Sequence, residues 1–387
     1  MASTITSQSK SPKQSNIEST HNEVTQYYYP DPVSQQVIQQ WLFMDLLPWQ
    51  QATWQYLTTH IDALPHAMLF AGNAGTGKRA FVYRFVAWAL CENQRDNVQG
   101  VATACGQCQS CQWLIANTHP DLYQIPTPTV ARDASPKSKA NNTLMAQAPT
   151  HQSSYSIKID EIRELQPFVT QSSGGLRIVV IHQADAMTLA ASNALLKTLE
   201  EPAENVLMLL ISDSPSQLLP TIRSRLQSFS VSHSTPAQSM QVMQQLMPNT
   251  DTATLQQVSE LSGYAPFLAL QMLNSEWYQH RQTWINSFQA VRSGQRTPVQ
   301  ASNYWQKTLT LTDFLYLSQA LLVPLGQFAV GISASAHDLD FGKLQPPPTL
   351  KQISQLQQVI DQIWQDRQQH IQDKLCYDKI FSTMLDC

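Results

Sequence analysis

Gly72-Asn73-Ala74-Gly75-Thr76-Gly77-Lys78 has the glycine spacing of a loop that wraps phosphate. Backbone N–H groups of such a loop, with the N-terminus of the following helix, bind phosphate oxygens, and the lysine reaches the terminal phosphates. The hydroxyl residue that should follow the lysine and hold Mg²⁺ is Arg79. The strand that should end in an acidic pair, Arg177-Ile178-Val179-Val180-Ile181, runs instead into His182-Gln183. Hydrolysis needs carboxylates that hold the metal and orient water, and neither of these residues does that well. The nucleotide-binding candidates are therefore Gly72, Gly75, Thr76, Gly77 and Lys78, in a loop without its metal chemistry. Arg79 removes a ligand but adds positive charge, so binding of metal-free nucleotide stays open. Asp185 follows shortly after His182. Its expected role is to cap or orient the next helix, since a helix N-terminus welcomes an acidic side chain.

A second constellation is Cys105-x2-Cys108-x2-Cys111, with Cys91 fourteen positions before Cys105. Four thiolates at this spacing suit one tetrahedral Zn²⁺, and a site filled by four protein ligands has no open position for catalysis. Free thiols or a redox pair are the alternatives. His119, in Thr118-His119-Pro120-Asp121, is read as a packing or turn residue rather than a ligand. A third candidate is Arg225 in Thr221-Ile222-Arg223-Ser224-Arg225. An exposed arginine after a strand and a short loop is able to reach a phosphate on a neighbouring subunit. No Lys or Arg occurs between Arg225 and Arg281, so that stretch offers no cation to sense a phosphate.

The positioning elements follow from the pattern. Met68-Leu69-Phe70-Ala71 reads as a buried strand before the glycine loop, and 78–90 as a helix with Phe81, Phe85 and Trp88 on one face. A helix is expected over Asp160–Thr170, bent or not by Pro167, then a strand over Ile178–Ile181. Another helix is expected over Leu189–Leu199, with Leu195, Leu196 and Leu199 beside Ser192, and ends before Pro202. Val206–Ile211 is the next apolar strand. Strands alternating with helices argue for an α/β fold, a parallel sheet covered on both faces. After about Ser230 the apolar spacing becomes helical through Val242, Leu246, Leu255, Val258 and Leu261, and again through Phe314, Leu317 and Leu321. Four regions are expected: a disordered polar tail over 1–30, an α/β core over 31–231, a small helical lid domain over 232–276 and an all-α domain over 277–387. The Pro-, Ser- and Asn-rich stretch 127–156 reads as a flexible insertion within the core.

The 387 residues are 42% hydrophobic and 13% charged, with a formal net charge of −4. That excludes a strongly basic nucleic-acid binder as a whole, so any DNA contact is local or made through partners. The first residues lack the apolar core of a secretory signal. The longest apolar stretch, Ala320–Ile332, contains Pro324, Gly326 and Gln327 and is too short to span a membrane. A cytoplasmic protein with no membrane partner is expected.

Together these residues resemble the clamp-loader branch of the AAA+ family. The run Asn193-Ala194-Leu195-Leu196-Lys197-Thr198-Leu199-Glu200-Glu201-Pro202 is similar to a segment shared by bacterial clamp-loader subunits. Ser224-Arg225-Leu226 resembles their Ser-Arg-Cys motif, with leucine for cysteine, and the cysteine trio before Thr118-His119-Pro120-Asp121 resembles their zinc module. Leu375-Cys376-Tyr377-Asp378-Lys379-Ile380-Phe381 resembles the end of one such subunit. The likeness covers about residues 46–232 well and the remainder weakly.

The resemblance implies an AAA+ P-loop domain with a structural zinc module, a helical lid and a helical collar that joins a five-subunit ring. It implies a non-hydrolytic subunit of a DNA polymerase III assembly, with no independent catalysis, that supplies Arg225 as a trans arginine finger. Its partners would be the gamma/tau and delta subunits, and through them the sliding clamp and primed DNA. The alternatives are an active motor or other AAA+ DNA-processing ATPase, using Lys78 and an acid such as Asp185, and a zinc-bearing adaptor outside replication.

Overall fold

The computed structural model describes residues 42–96, 100–126, 156–170, 174–231, 234–332, 339–366 and 372–386. The expected polar tail over 1–30 and residues 127–155 of the expected insertion lie outside the described residues.

A five-stranded parallel sheet carries the first half of the chain, in the order β4-β5-β6-β1-β7. Its strands are β1 (Ala67–Ala71), β4 (Leu122–Ile125), β5 (Arg177–Ile181), β6 (Val206–Ser212) and β7 (Gln227–Ser230). Two further short strands, β2 (Arg95–Asp96) and β3 (Ala102–Thr103), pair antiparallel beside it. Side chains alternate across a strand, and the sheet divides its residues accordingly. Met68, Phe70, Ile178, Val180, Leu207, Leu209 and Ile211 enter one apolar cluster, with Trp54 of α1 (Gln51–Thr59) and Phe81 and Phe85 of α2 (Lys78–Ala89). Leu69, Val179, Ile181, Met208 and Leu210 face the other way, toward α4 (Ile159–Thr170) and α5 (Leu189–Glu200). Between them, α3 (Gln109–Ile115) carries the last of the clustered cysteines. Helix α4 continues through Pro167 to Thr170. Helix α2 is buried on nearly every side rather than on one face, because the cysteine segment and Trp54 of α1 both pack against it.

A four-residue helix, α6 (Pro220–Arg223), links β6 to β7, and the rest is helical. Helices α7 (Pro236–Leu246), α8 (Thr252–Leu261) and α9 (Pro266–Asn274) pack on one another. Then come α10 (Glu276–Gln279), α11 (Arg281–Arg292), α12 (Pro298–Thr308), α13 (Leu311–Ala329), α14 (Leu350–Asp366) and α15 (Asp373–Leu385). Trp284, Trp305, Phe314, Tyr377 and Phe381 are the large side chains at the centre of this half. Helix α13 runs through Pro324, and no single described helix is long and apolar enough to cross a membrane.

Candidate functional site

The phosphate-loop residues lie together between β1 and α2, as the spacing required, with Gly77 at φ +84° forming the N-cap of α2. The loop is closed over by the protein itself. Trp49 Nε1 donates to the Thr76 carbonyl and Gln50 Nε2 to the Gly77 carbonyl, both at 3.1 Å. The Phe267 N–H donates to the Gly75 carbonyl at 3.1 Å. Gly75, at φ +77°, is approached so closely that a Cβ there would stand 2.5 Å from Leu268 Cβ. Its glycine serves the contact with α9 as much as any ligand.

Lys78 is buried at 2% exposure, and its ammonium ion-pairs with the carboxylate of Asp213. It also donates to the Asn73 carbonyl at 2.9 Å. Arg79 donates to the second oxygen of the same carboxylate at 3.2 Å. Burial pushes the Lys78 pKa below its ordinary value, the Asp213 charge opposes that shift, and the neighbouring Arg79 adds to it. The loop's two cations are thus answered by one acid of the chain. Asp213 follows directly on β6, the strand beside β1, at the carboxyl edge of the sheet where α/β folds hold ligands. Sequence reasoning missed it. The available signal was an acid directly after a fully apolar strand.

His182 follows β5, where a motor would carry an acidic residue. It is 1% exposed and stacks on Tyr83 of α2 with ring centroids 5.2 Å apart. Its Nε2 lies 2.5 Å from the Tyr83 hydroxyl, which donates to Gln124 Oε1 on β4. Gln124 Nε2 in turn donates to Asn117 Oδ1 at 2.8 Å. This direction assigns the proton of His182 to Nε2. Burial, reinforced by the Arg79 charge, lowers the His182 pKa to about 3, so the imidazole is neutral near pH 7. A neutral hydrogen-bonded chain fills the place where metal ligands would stand.

Asp185 does not cap the following helix. Thr188 is the N-cap of α5, its hydroxyl accepting from the Ala191 N–H at 3.2 Å. Gln183, in the left-handed region at φ +42°, turns the chain into a 3-10 turn over Ala184–Ala186. From that turn the Asp185 carboxylate accepts the Asp213 N–H at 3.2 Å. The turn aims Asp185 across to the end of β6, too early in the chain to serve α5.

Cys91, Cys105, Cys108 and Cys111 come together in a buried cluster, with all four sulfurs within 4.8 Å of one another. Sγ separations of 3.7 Å for Cys91–Cys111 and 3.9 Å for Cys91–Cys108 and Cys105–Cys111 rule out disulfides. They match the edge of about 3.8 Å that a tetrahedron with Zn–S bonds of about 2.3 Å would have. N–H groups of Gln107 and Cys108 point at Cys105 and lower its pKa to about 6, while burial raises Cys91 and Cys111. The cluster is able to hold a metal ion. His119 stays outside it: Nε2 bonds to Ser110 Oγ at 2.8 Å and Nδ1 accepts the Asp121 N–H at 3.1 Å.

Arg225 lies just after α6, with its side chain 36% exposed. One guanidinium nitrogen donates to the Thr221 carbonyl at 2.9 Å, and the other pairs with Glu200 at 2.6 Å. Leu226, where the family motif has cysteine, is buried against the cluster of Leu195 and Leu199.

Residues 49–235 match the family described as DNA polymerase III, delta subunit. Over 227 residues the chain is 36% identical to the DNA polymerase III subunit delta' of Pseudomonas aeruginosa, covering 58% of this chain and 60% of that one. It is 27% identical over 247 residues to the subunit delta' of Haemophilus influenzae, covering 63% and 66%. It is also 31% identical over 169 residues to the subunit tau/gamma of Haemophilus influenzae, covering 43% and 20%. The chain thus spans about half to two thirds of the length of the delta' relatives it matches. Over the matched region the chain is similar to the delta' subunits of DNA polymerase III.

Proposed function

We propose that the chain is the non-hydrolytic, delta' type of clamp-loader subunit, a stator that helps load the sliding clamp on primed DNA. The observation that carries this reading is the pairing of Lys78 and Arg79 with Asp213. A motor keeps its loop lysine for phosphate and its strand-end carboxylates for Mg²⁺. Here the lysine has an internal partner, and His182 is neutral and bonded to Tyr83. Nucleotide binding at the loop is then not needed for the subunit's work.

Arg225 acts in trans, as an arginine finger toward ATP held by a neighbouring tau/gamma subunit. Its exposed position beside a short helix supports that role. The four cysteines hold a structural Zn²⁺ that ties the segment 91–111 to α2, as the sulfur spacing and burial support. The helices beyond residue 231 form a lid, 232–276, resting on the phosphate loop through Phe267 and Leu268, and a collar, 277–387, that joins gamma/tau and delta subunits. The contact of α9 with Gly75 and the mutual packing of α12 and α15 support that division. A protein of this kind works in the bacterial cytoplasm.

The test has two parts. The isolated chain is expected to show no Mg²⁺-dependent ATP hydrolysis. Turnover abolished by Lys78→Ala would establish the motor alternative instead. In a ring reconstituted with tau/gamma and delta subunits, clamp and primed DNA, Arg225→Ala is expected to lower ATP turnover and clamp loading. Unchanged rates would remove the finger role.

A further inference from the structure

We infer that Glu200 is a positioning residue for Arg225, holding its guanidinium in one orientation toward the neighbouring subunit. The inference rests on the trans role proposed above and adds a residue to it.

Glu200 is the last residue of α5, and its Oε1 lies 2.6 Å from an Arg225 terminal nitrogen. The other terminal nitrogen bonds the Thr221 carbonyl at 2.9 Å and approaches Ser224 Oγ at 3.4 Å. The guanidinium is therefore gripped from two elements, α5 and α6 with its C-cap Ser224. Both elements are anchored in one apolar cluster: Leu195 and Leu199 from α5, Ile222 and Leu226 from either side of Arg225. Ile222 is fully buried. The mount is rigid although the charged pair it displays is not buried.

Exposure separates a positioning role from a stabilising one. The side chains are 36% and 49% exposed, and an ion pair so open to water adds little to folding stability. What it does supply is order. A free arginine side chain samples many rotamers, and a planar guanidinium fixed in advance loses less freedom when it meets a phosphate. The C-terminal end of α5, with its partial negative charge, favours a cation at the same place. Glu200 therefore orients a charge whose work is outside the chain.

The experiment uses the reconstituted ring with clamp, primed DNA and saturating ATP. Glu200→Gln keeps size and hydrogen-bonding capacity but removes the charge. It is expected to lower the ATP turnover number about two- to fivefold, with KM for ATP and the melting temperature of the chain unchanged. In an Arg225→Ala background the same substitution is expected to change nothing further, which a merely structural residue would not satisfy. If Arg225→Ala alone leaves turnover unchanged, the trans role fails and this inference with it. If Arg225→Ala lowers turnover but Glu200→Gln leaves it unchanged or raises it, only the role of Glu200 fails. An equal Glu200→Gln effect with and without Arg225 likewise overturns that role alone.

Discussion

The Asp213 carboxylate accepts the Lys78 ammonium across 135 positions of sequence, with both side chains largely out of water. A buried charge stripped of its partner is costly, and here one acid serves two cations. Asp213→Asn is expected to destabilise the chain by about 3 kcal/mol or more, read from urea unfolding at pH 7. Adding Lys78→Met to that variant should recover part of the loss, because one uncompensated charge is removed. A single variant as stable as the native chain would mean the pair is solvated and weak.

The cysteine cluster makes a separate forecast. Purified under reducing conditions, the chain should carry one zinc ion, measured by atomic emission. Chelation or Cys108→Ser is expected to lower Tm by about 5–10 °C, through loss of a ligand that binds only the folded state. Cys376→Ser lies in the helical half and should leave the metal content unchanged.

His182 sets a pH dependence. Its pKa falls from an ordinary 6.5 to about 3 on folding, so between these values the unfolded chain binds a proton that the folded chain does not. Stability from this group is complete above about pH 6.5 and declines as pH falls, by about 1.4 kcal/mol per unit. His182→Gln should flatten the acid side of the stability curve by about one proton. Equal slopes for variant and native chain would contradict a neutral buried imidazole.

Gly75 is tested by adding a single carbon. Gly75→Ala must take φ +77° and place its Cβ 2.5 Å from Leu268 Cβ. Left-handed backbone costs an ordinary residue about 1–2 kcal/mol, and the collision adds to it. A loss of about 2 kcal/mol or more is expected, whereas Gly174→Ala, with open space around it, should be nearly silent.

How far these features could be read in advance differs residue by residue. The phosphate loop and β1, β5 and β6 were legible because apolar runs and glycine spacing are local signals. Strand β7 was not: in Gln227-Ser228-Phe229-Ser230 only Phe229 is buried, so an edge strand left no apolar run. Strand β4, at the other edge, was hidden for a similar reason, with Gln124 committed to Tyr83. The four cysteines were found from spacing alone. Arg225 was singled out in the sequence, but its ion pair with Glu200 was not, although both stood in quoted motifs. The departures at Arg79 and His182 were visible as losses. Their partners, Asp213 and Tyr83, lie 134 and 99 positions away and became visible only when the sheet brought them near.

The backbone bond from Phe267 to Gly75, with Leu268 seated on the same glycine, makes the turn between β1 and α2 a rivet. A hinge that pivots on a bound molecule can be loosened by removing that molecule. This joint is made of peptide and methylene groups in direct contact, with no bound molecule as its pivot. To swing α9 away from the sheet, the chain would have to give up the Phe267 bond and the Leu268 contact together.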